Sequence, residues 1–265
     1  MKKKFMTLFK AVLVLLSAAA VSGFGQTITD VVKETYPMQS GGRLVLENVN
    51  GKVVISGWNK DELYMEAEKV VKTRDRERAQ ELMEQVEIVV EERREEIYIK
   101  TILPHQKGGF WNRMAGDNGS ASVHYRLNVP HKCILEIENT NGAIEVTEVN
   151  GDLTLETTNG KIWLRDAGGM VVANTTNGSV DAELSKIGSD GEMEFTTTNG
   201  SVKLYLPRDA GFELDAKTTN GSVNSDFPVA GGDRHSRKRL QGEVNGGGPR
   251  IYVRTTNGSV NVREL

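Results

Sequence analysis

The residues that could do chemistry fall into four groups. Glu145, Glu156, Asp181 and Glu183 are carboxylates on one repetitive stretch, and glycoside cleavage needs two such groups at a controlled separation. Here they are scattered among Lys and Asn, as on a polar, solvated face. The four histidines, at 105, 124, 131 and 235, have no metal-ligand spacing. Ser179, Ser201, Ser222 and Ser259 each follow an Asn-Gly pair, so turn chemistry accounts for them better than nucleophilic catalysis. Gly246, Gly247 and Gly248 lack the strand and helix context of a phosphate loop. No catalytic residue, metal ligand or cofactor-binding residue is assigned, and the chain is read as not an enzyme. A carbohydrate-active enzyme remains the least favoured alternative.

Two stretches could bind rather than react. Phe110 and Trp111 lie in a Gly-rich loop over 104–120, where exposed aromatics would serve as anchors. Arg234, Arg237, Lys238 and Arg239, with His235, form a basic run that would meet an anionic glycan or headgroup through charge.

These residues are positioned by a repeat. Thr-Thr-Asn-Gly recurs at 157–160, 175–178, 197–200, 218–221 and 255–258, with Asn139–Gly142 as a variant. The spacing begins at 18 residues and then lengthens. Two residues after each Gly stand Ile144, Ile162, Val180, Val202, Val223 and Val260, and apolar residues alternate with polar ones from there. That period of two predicts strands with one buried face. The corner pairs Asn141-Gly142, Asn159-Gly160, Asn177-Gly178, Asn199-Gly200, Asn220-Gly221 and Asn257-Gly258 are expected to turn the chain, since both residues tolerate positive φ. Secondary turns fall midway, at Asn150-Gly151 and Gly168-Gly169. Asn-Gly also marks hairpins, so a meander is the rival fold. An 18-residue identity period favours coils stacked in register, with Thr and Asn forming ladders inside. About six or seven coils at about 4.8 Å each make a rod of about 30 Å.

The predicted fold is therefore mainly β: a single-stranded β-helix, or β-solenoid, with a small inserted α+β capping subdomain. Residues 1–23 read as a signal peptide, with Lys2, Lys3 and Lys4 ahead of an apolar run and small residues. Residues 24–60 hold an N-terminal strand region and the first coil. Residues 61–130 form the inserted cap, with strands near 62–71, 86–90, 97–103 and 123–129 and a short helix over 74–83. Residues 131–265 form the solenoid. Loss of the leader's four lysines moves the net charge from −3 to −7, which argues against a nucleic-acid partner. No integral span is expected after cleavage. The one cysteine, Cys133, is expected to be buried and apolar in role.

The repeated TTNGSV at 175–180, 197–202, 218–223 and 255–260 resembles a bacterial candidate-adhesin family of β-strand repeat proteins of unknown function. So does GEVNGGGPRIYVRTTNGSV at 242–260. The charged helix and VEIVVEERREEIYIK at 86–100 are similar to that family's N-terminal region. The resemblance covers most of 40–265 and implies an exported β-helix with an adhesin-like label and no catalytic motif. The expected function is adhesion or envelope scaffolding at the periplasm, cell surface or exterior, with a cell-surface glycan or envelope protein as partner. A periplasmic ligand- or partner-binding module of an envelope-stress system is the alternative.

Overall fold

The computed structural model describes residues 26–104, 119–189, 191–231 and 237–265. Among them lie twenty strands and one helix. The first half runs β1 (Gln26–Pro37), β2 (Arg43–Asn50), β3 (Val53–Trp58), β4 (Glu62–Thr73), α1 (Arg76–Gln85), β5 (Glu87–Arg93), β6 (Glu96–Ile102) and β7 (Ser120–Pro130). The repeats follow as β8 (Ile134–Asn141), β9 (Ile144–Thr147), β10 (Leu153–Asn159), β11 (Ile162–Gly169), β12 (Val171–Asn177), β13 (Val180–Ile187), β14 (Glu192–Asn199) and β15 (Val202–Leu206). The chain closes with β16 (Phe212–Asn220), β17 (Val223–Ser225), β18 (Arg239–Val244), β19 (Arg250–Asn257) and β20 (Val260–Glu264).

Each repeat makes one rung, with a strand in each of two ten-stranded sheets. One sheet runs β1-β4-β7-β3-β9-β11-β13-β15-β20-β17, and the other runs β18-β16-β19-β14-β12-β10-β8-β2-β6-β5. Rung pairs with rung in parallel, so Thr157 faces Thr175 and Asn159 faces Asn177. Hairpins between successive repeats are thereby ruled out. The fold is mainly β and solenoid-like. Between the sheets lie the residues that the alternation points inward: Ile144, Ile162, Val180, Val202 and Val260 are each 0% exposed. Burying one such side chain contributes about 1.5–3 kcal/mol, and no rung covers its own face alone.

The repeated corner has a different cause from the one its sequence suggests. The corner asparagines do not adopt positive φ; among the described residues, the non-glycines that do are Glu148, Asp166 and Asn245. The glycines stack directly on one another, and a Cβ on Gly160, Gly178 or Gly200 would overlap the carbonyl oxygen of the glycine one rung before. Lack of a side chain, rather than freedom of φ, selects Gly there. The predicted internal ladders also divide. Thr157, Thr175, Thr197, Thr218 and Thr255 are buried, and each hydroxyl donates to the carbonyl of a corner glycine on the adjacent rung, as from Thr175 to Gly160 at 2.9 Å. The Asn ladder lies outside. Asn159, Asn177, Asn199 and Asn257 are exposed and join Nδ2 to Oδ1, each step 2.8 Å. Alternation alone would turn this Asn inward, two residues after the inward Thr, but it is the last residue of its strand, where the chain is already leaving the inter-sheet space.

Residues 61–130 extend the same two sheets. β4 and β7 continue the first sheet, while β5 and β6 continue the second. Antiparallel pairs at this end, β1 with β4 and β5 with β6, close the parallel stack. Helix α1, capped by Asp75 accepting from the Glu77 amide at 2.9 Å, buries Ala79 and Leu82 beside β4. Cys133 is buried at 1% exposure, and burial pushes its thiol up to about 12.

The far end departs from sequence order. The last rung, β19 with β20, lies between the rung of β14 and β15 and that of β16 and β17. Asn257 thus faces both Asn199 and Asn220. The outer edge of β16 is taken by antiparallel β18, which leaves only its inner edge for the terminal rung. The turn between β18 and β19 contains Gly246 and Gly247 at φ 86° and 82°.

Candidate functional site

A polar groove of about 740 Å³ crosses the outer face of the second sheet. It spans β6, β2, β8, β10, β12 and β14, six neighbouring strands. Six strands set it at about 24 Å along the stack, taking about 4.8 Å per step. Strand register builds its walls as columns. One column stacks Glu47, Glu138, Glu156, Asn174 and Thr196. Beside it, the Thr before each corner Asn-Gly faces outward, so Thr140, Thr158, Thr176 and Thr198 line the groove in turn.

The carboxylates differ in their partners. Glu47 accepts from Lys100 Nζ at 2.5 Å and from the Tyr98 hydroxyl at 2.8 Å. Those bonds, Lys100 first, hold its carboxyl below the usual range despite partial burial. Among the described residues, the side-chain carboxylates of Glu138 and Glu156 have no hydrogen bond or ion pair. Burial raises the pKa of Glu138, and the like charges of Glu47, Glu156 and Glu136 raise it further. Thr196 Oγ1 donates to Asn174 Oδ1 at 2.6 Å and continues the column in neutral groups. Between these columns, Asn48 and Asn139 take the inward phase of Thr157: both are 4% exposed, their Nδ2 groups donate to the Val123 and Gly51 carbonyls, and among the described residues the buried Oδ1 of each has no partner.

The residues singled out in the sequence do not converge on this groove, Glu156 excepted. Glu145 pairs with Lys52 at 2.7 Å and Asp181 with Lys161 at 3.2 Å on the opposite sheet. Phe110, Trp111, Arg234, His105 and His235 lie outside the described residues. The main-chain carbonyls of Arg237 and Lys238 accept from the Val223 and Thr218 amides, and Lys238 Nζ donates to the Thr219 carbonyl. Arg239 donates to Gln241 and lies 3.8 Å from Asp215. These three residues thus hold the strand ends beside β16 and β17. Lys52 N donates to His124 Nδ1, and His131 Nδ1 is 2.7 Å from the Glu148 carbonyl. Ser222 and Ser259 are stacked neighbours, their hydroxyls 3.4 Å apart. Among the described residues, no group of three or more His, Cys, Asp and Glu is arranged for a metal.

Residues 120–263 match the Toastrack DUF4097 family. The chain is a Toastrack DUF4097 protein. No curated protein matches this Toastrack chain. It is similar to three solved structures. One is a candidate cell adhesion protein of Clostridium sporogenes, 17% identical, with a TM-score of 0.47 over 89% of this chain and 100% of the other. Another is a candidate adhesin of Bacteroides fragilis, 8% identical, with a TM-score of 0.30 over 89% and 97%. A third is a candidate lipid binding protein of Parabacteroides distasonis, 11% identical, with a TM-score of 0.25 over 88% and 96%.

The groove residues Glu47, Glu138, Thr140, Thr158, Thr176 and Thr198 carry a sequence signal that reading the repeat for its core passes over. If the first Thr of a Thr-Thr pair is inward, the second must be outward. The outward carboxylates become neighbours only once the rungs stack.

Proposed function

We propose that this Toastrack chain is an exported, non-catalytic β-solenoid of the cell envelope, a single-stranded coil with two strands per turn, that binds its target as an adhesin-like protein through a repetitive outer face. The observation that carries this reading is the groove of the second sheet, where an outward Thr recurs on four successive strands, β8, β10, β12 and β14. Such a surface offers many equal, weak contacts, and a ligand that repeats in step gains affinity from their number. The non-catalytic part is supported by the carboxylates themselves: Glu145 and Asp181 are paired with lysines, and Glu156 stands beside Glu138 in a shallow face. Export is supported by the leader-like residues 1–23. Among the described residues, no helix is long and apolar enough to cross a membrane.

Fractionation and surface protease treatment test the location: the mature chain is expected outside the cytoplasm and degraded on intact cells. Recovery from the cytoplasm alone would refute export. Purified protein is expected to adhere to cell surfaces or envelope glycans with no turnover of any glycan, and release of product would overturn the non-catalytic reading.

A further inference from the structure

We propose that the outer face of the second sheet docks a second copy of this chain, face to face, with the two stacks running in opposite directions. This rests on the reading of that face as the binding surface and names its partner. Charge, register and area carry it.

The charge lies in one outward column. Strand register stacks Glu47, Glu138 and Glu156 on β2, β8 and β10, and then the neutral Asn174 and Thr196 on β12 and β14. From there the sign changes. Arg254, Lys217 and Arg239 follow on β19, β16 and β18, each directly opposite the next. Like charges directly opposite one another in a sheet are destabilising, and this column holds two such runs of opposite sign. Neither run is fully neutralised within the chain. Lys100 reaches Glu47, and Asp215 takes Arg254. Among the described residues, the side chains of Glu138, Glu156 and Lys217 are exposed and have no hydrogen bond or ion pair. A ligand of one sign would satisfy one run and be repelled by the other. A second copy satisfies both, and its rungs have the same spacing, so the pairs stay in step.

The register is self-complementary. A two-fold axis parallel to the strands, lying between the two facing sheets and midway between β12 and β14, reverses the stack and keeps each position along the strands. Glu156 then faces the partner's Arg254, Glu138 faces the partner's Lys217 and Glu47 faces the partner's Arg239. Asn174 meets the partner's Thr196 at the centre. Sliding one copy by a single rung loses one of the three pairs. A second outward column obeys the same axis: Arg43 on β2 faces the partner's Glu243, and Asp152, just ahead of β10, faces the partner's Arg250. Where like charges meet, Glu136 and Asp215, each is already held by an arginine of its own chain, Arg43 and Arg254. Such complementarity fixes register and suppresses wrong partners. Shape agrees with it. The groove of about 740 Å³ lies over the acidic half and ends at β14, where the long side chains that would fill the partner's groove begin.

The face is large enough. From β6 to β18 there are nine strands, about 38 Å along the stack, and strands of about seven residues make it about 23 Å wide. That footprint reaches the about 800 Å² per partner that a stable interface buries. An isologous two-fold pair is also the commonest closed assembly.

Sedimentation velocity of the full chain tests this. A monomer–dimer equilibrium is expected, with a dissociation constant at least tenfold lower in about 0.02 M than in about 0.5 M salt. Glu138→Lys and Lys217→Glu each interrupt a run of like charge, so both variants should fold, and melting curves in high salt check that they do. Each variant alone is expected to dimerise at least tenfold more weakly, because the axis then sets like charges against each other twice. Mixed one to one, the two variants are expected to form a heterodimer at least tenfold tighter than either homodimer, since each substituted position faces its opposite in sign. A wild-type chain that stays monomeric at low salt and high concentration would overturn the proposal. A dimer that neither substitution weakens would overturn it in favour of another interface. Mixed variants that stay apart would overturn the two-fold register. If the wild-type chain adheres to cell surfaces or envelope glycans yet stays monomeric, the dimer inference fails and the binding function stands. If it neither dimerises nor adheres to anything, both fail.

Discussion

At the scale of single residues, the stack separates side chains that look alike in sequence. Val180 is 0% exposed between the sheets, whereas Thr154 faces outward on β10. Val180→Asp should cost about 3–5 kcal/mol, because a buried unpaired charge has no water to solvate it, and Thr154→Lys should stay within about 0.5 kcal/mol. Denaturant unfolding of the two variants checks the face assignment, and equal shifts would refute it. Glycines divide in the same way. Gly178→Ala drives a methyl into the Gly160 carbonyl, while Gly231 sits at φ 74° with open space around its Cβ position. Gly231→Ala should cost about 1 kcal/mol of backbone strain, and Gly178→Ala clearly more, because the rung spacing itself must open. Melting temperatures of the pair measure the difference. Glu138 makes the third prediction. Its pKa is raised in the folded state, so the native chain holds that proton more tightly than the unfolded chain does. Its contribution to stability therefore falls as pH rises through the carboxylate range. Glu138→Gln should stabilise the chain at neutral pH by about 0.5 kcal/mol, and the gain should vanish in acid below that range. A pH series of melting curves for the two proteins reads this directly.

At the scale of elements, the terminal rung is held by charge as well as by strand pairing. Asp215 on β16 is buried, at 4% exposure, and accepts from Arg254 Nη2 at 2.7 Å, while Arg254 Nη1 donates to the Asp215 carbonyl. Arg250 on β19 lies 3.6 Å from the same carboxylate, and Arg254 stacks on Tyr252 at 3.8 Å. Asp215→Ala strands these guanidiniums at the junction of β16 and β19. The loss should be about 3 kcal/mol, near the lower end for breaking a buried pair, since Arg254 keeps some contact with water. Chemical denaturation measures it. The repeat itself was plain in the sequence because its period is an identity period: Thr-Thr-Asn-Gly with Ile or Val two residues later specifies both strand phase and corner. The cap was legible as strands and a helix. Its merger with the two sheets was not, because β4 to β7 lack the corner tetrapeptide and pair partly antiparallel.

At the scale of the whole molecule, stability is the sum of rungs and the interfaces between them. Residues 250–265 fill a place between two other rungs, so deleting them should leave β14 and β16 with unpaired facing edges, a template for association. The truncated chain is expected to form large species by light scattering at concentrations where the full chain does not. A monodisperse truncated chain would mean that the two rungs close the gap by pairing directly. The sequence by itself determined which apolar residues and first threonines face inward, where the corners fall and that rungs of like sequence stack, because local alternation and turn chemistry need only near neighbours; the corner asparagines, expected inside, lie outside. Tertiary structure alone decided that the last rung slips between earlier ones and that Glu47, Glu138 and Glu156 share one groove. The physical reason is the same for both. Hydrogen bonding across a parallel sheet accepts any rung of matching register, so the order of rungs, and hence which outward side chains become neighbours, follows from which edges are already covered.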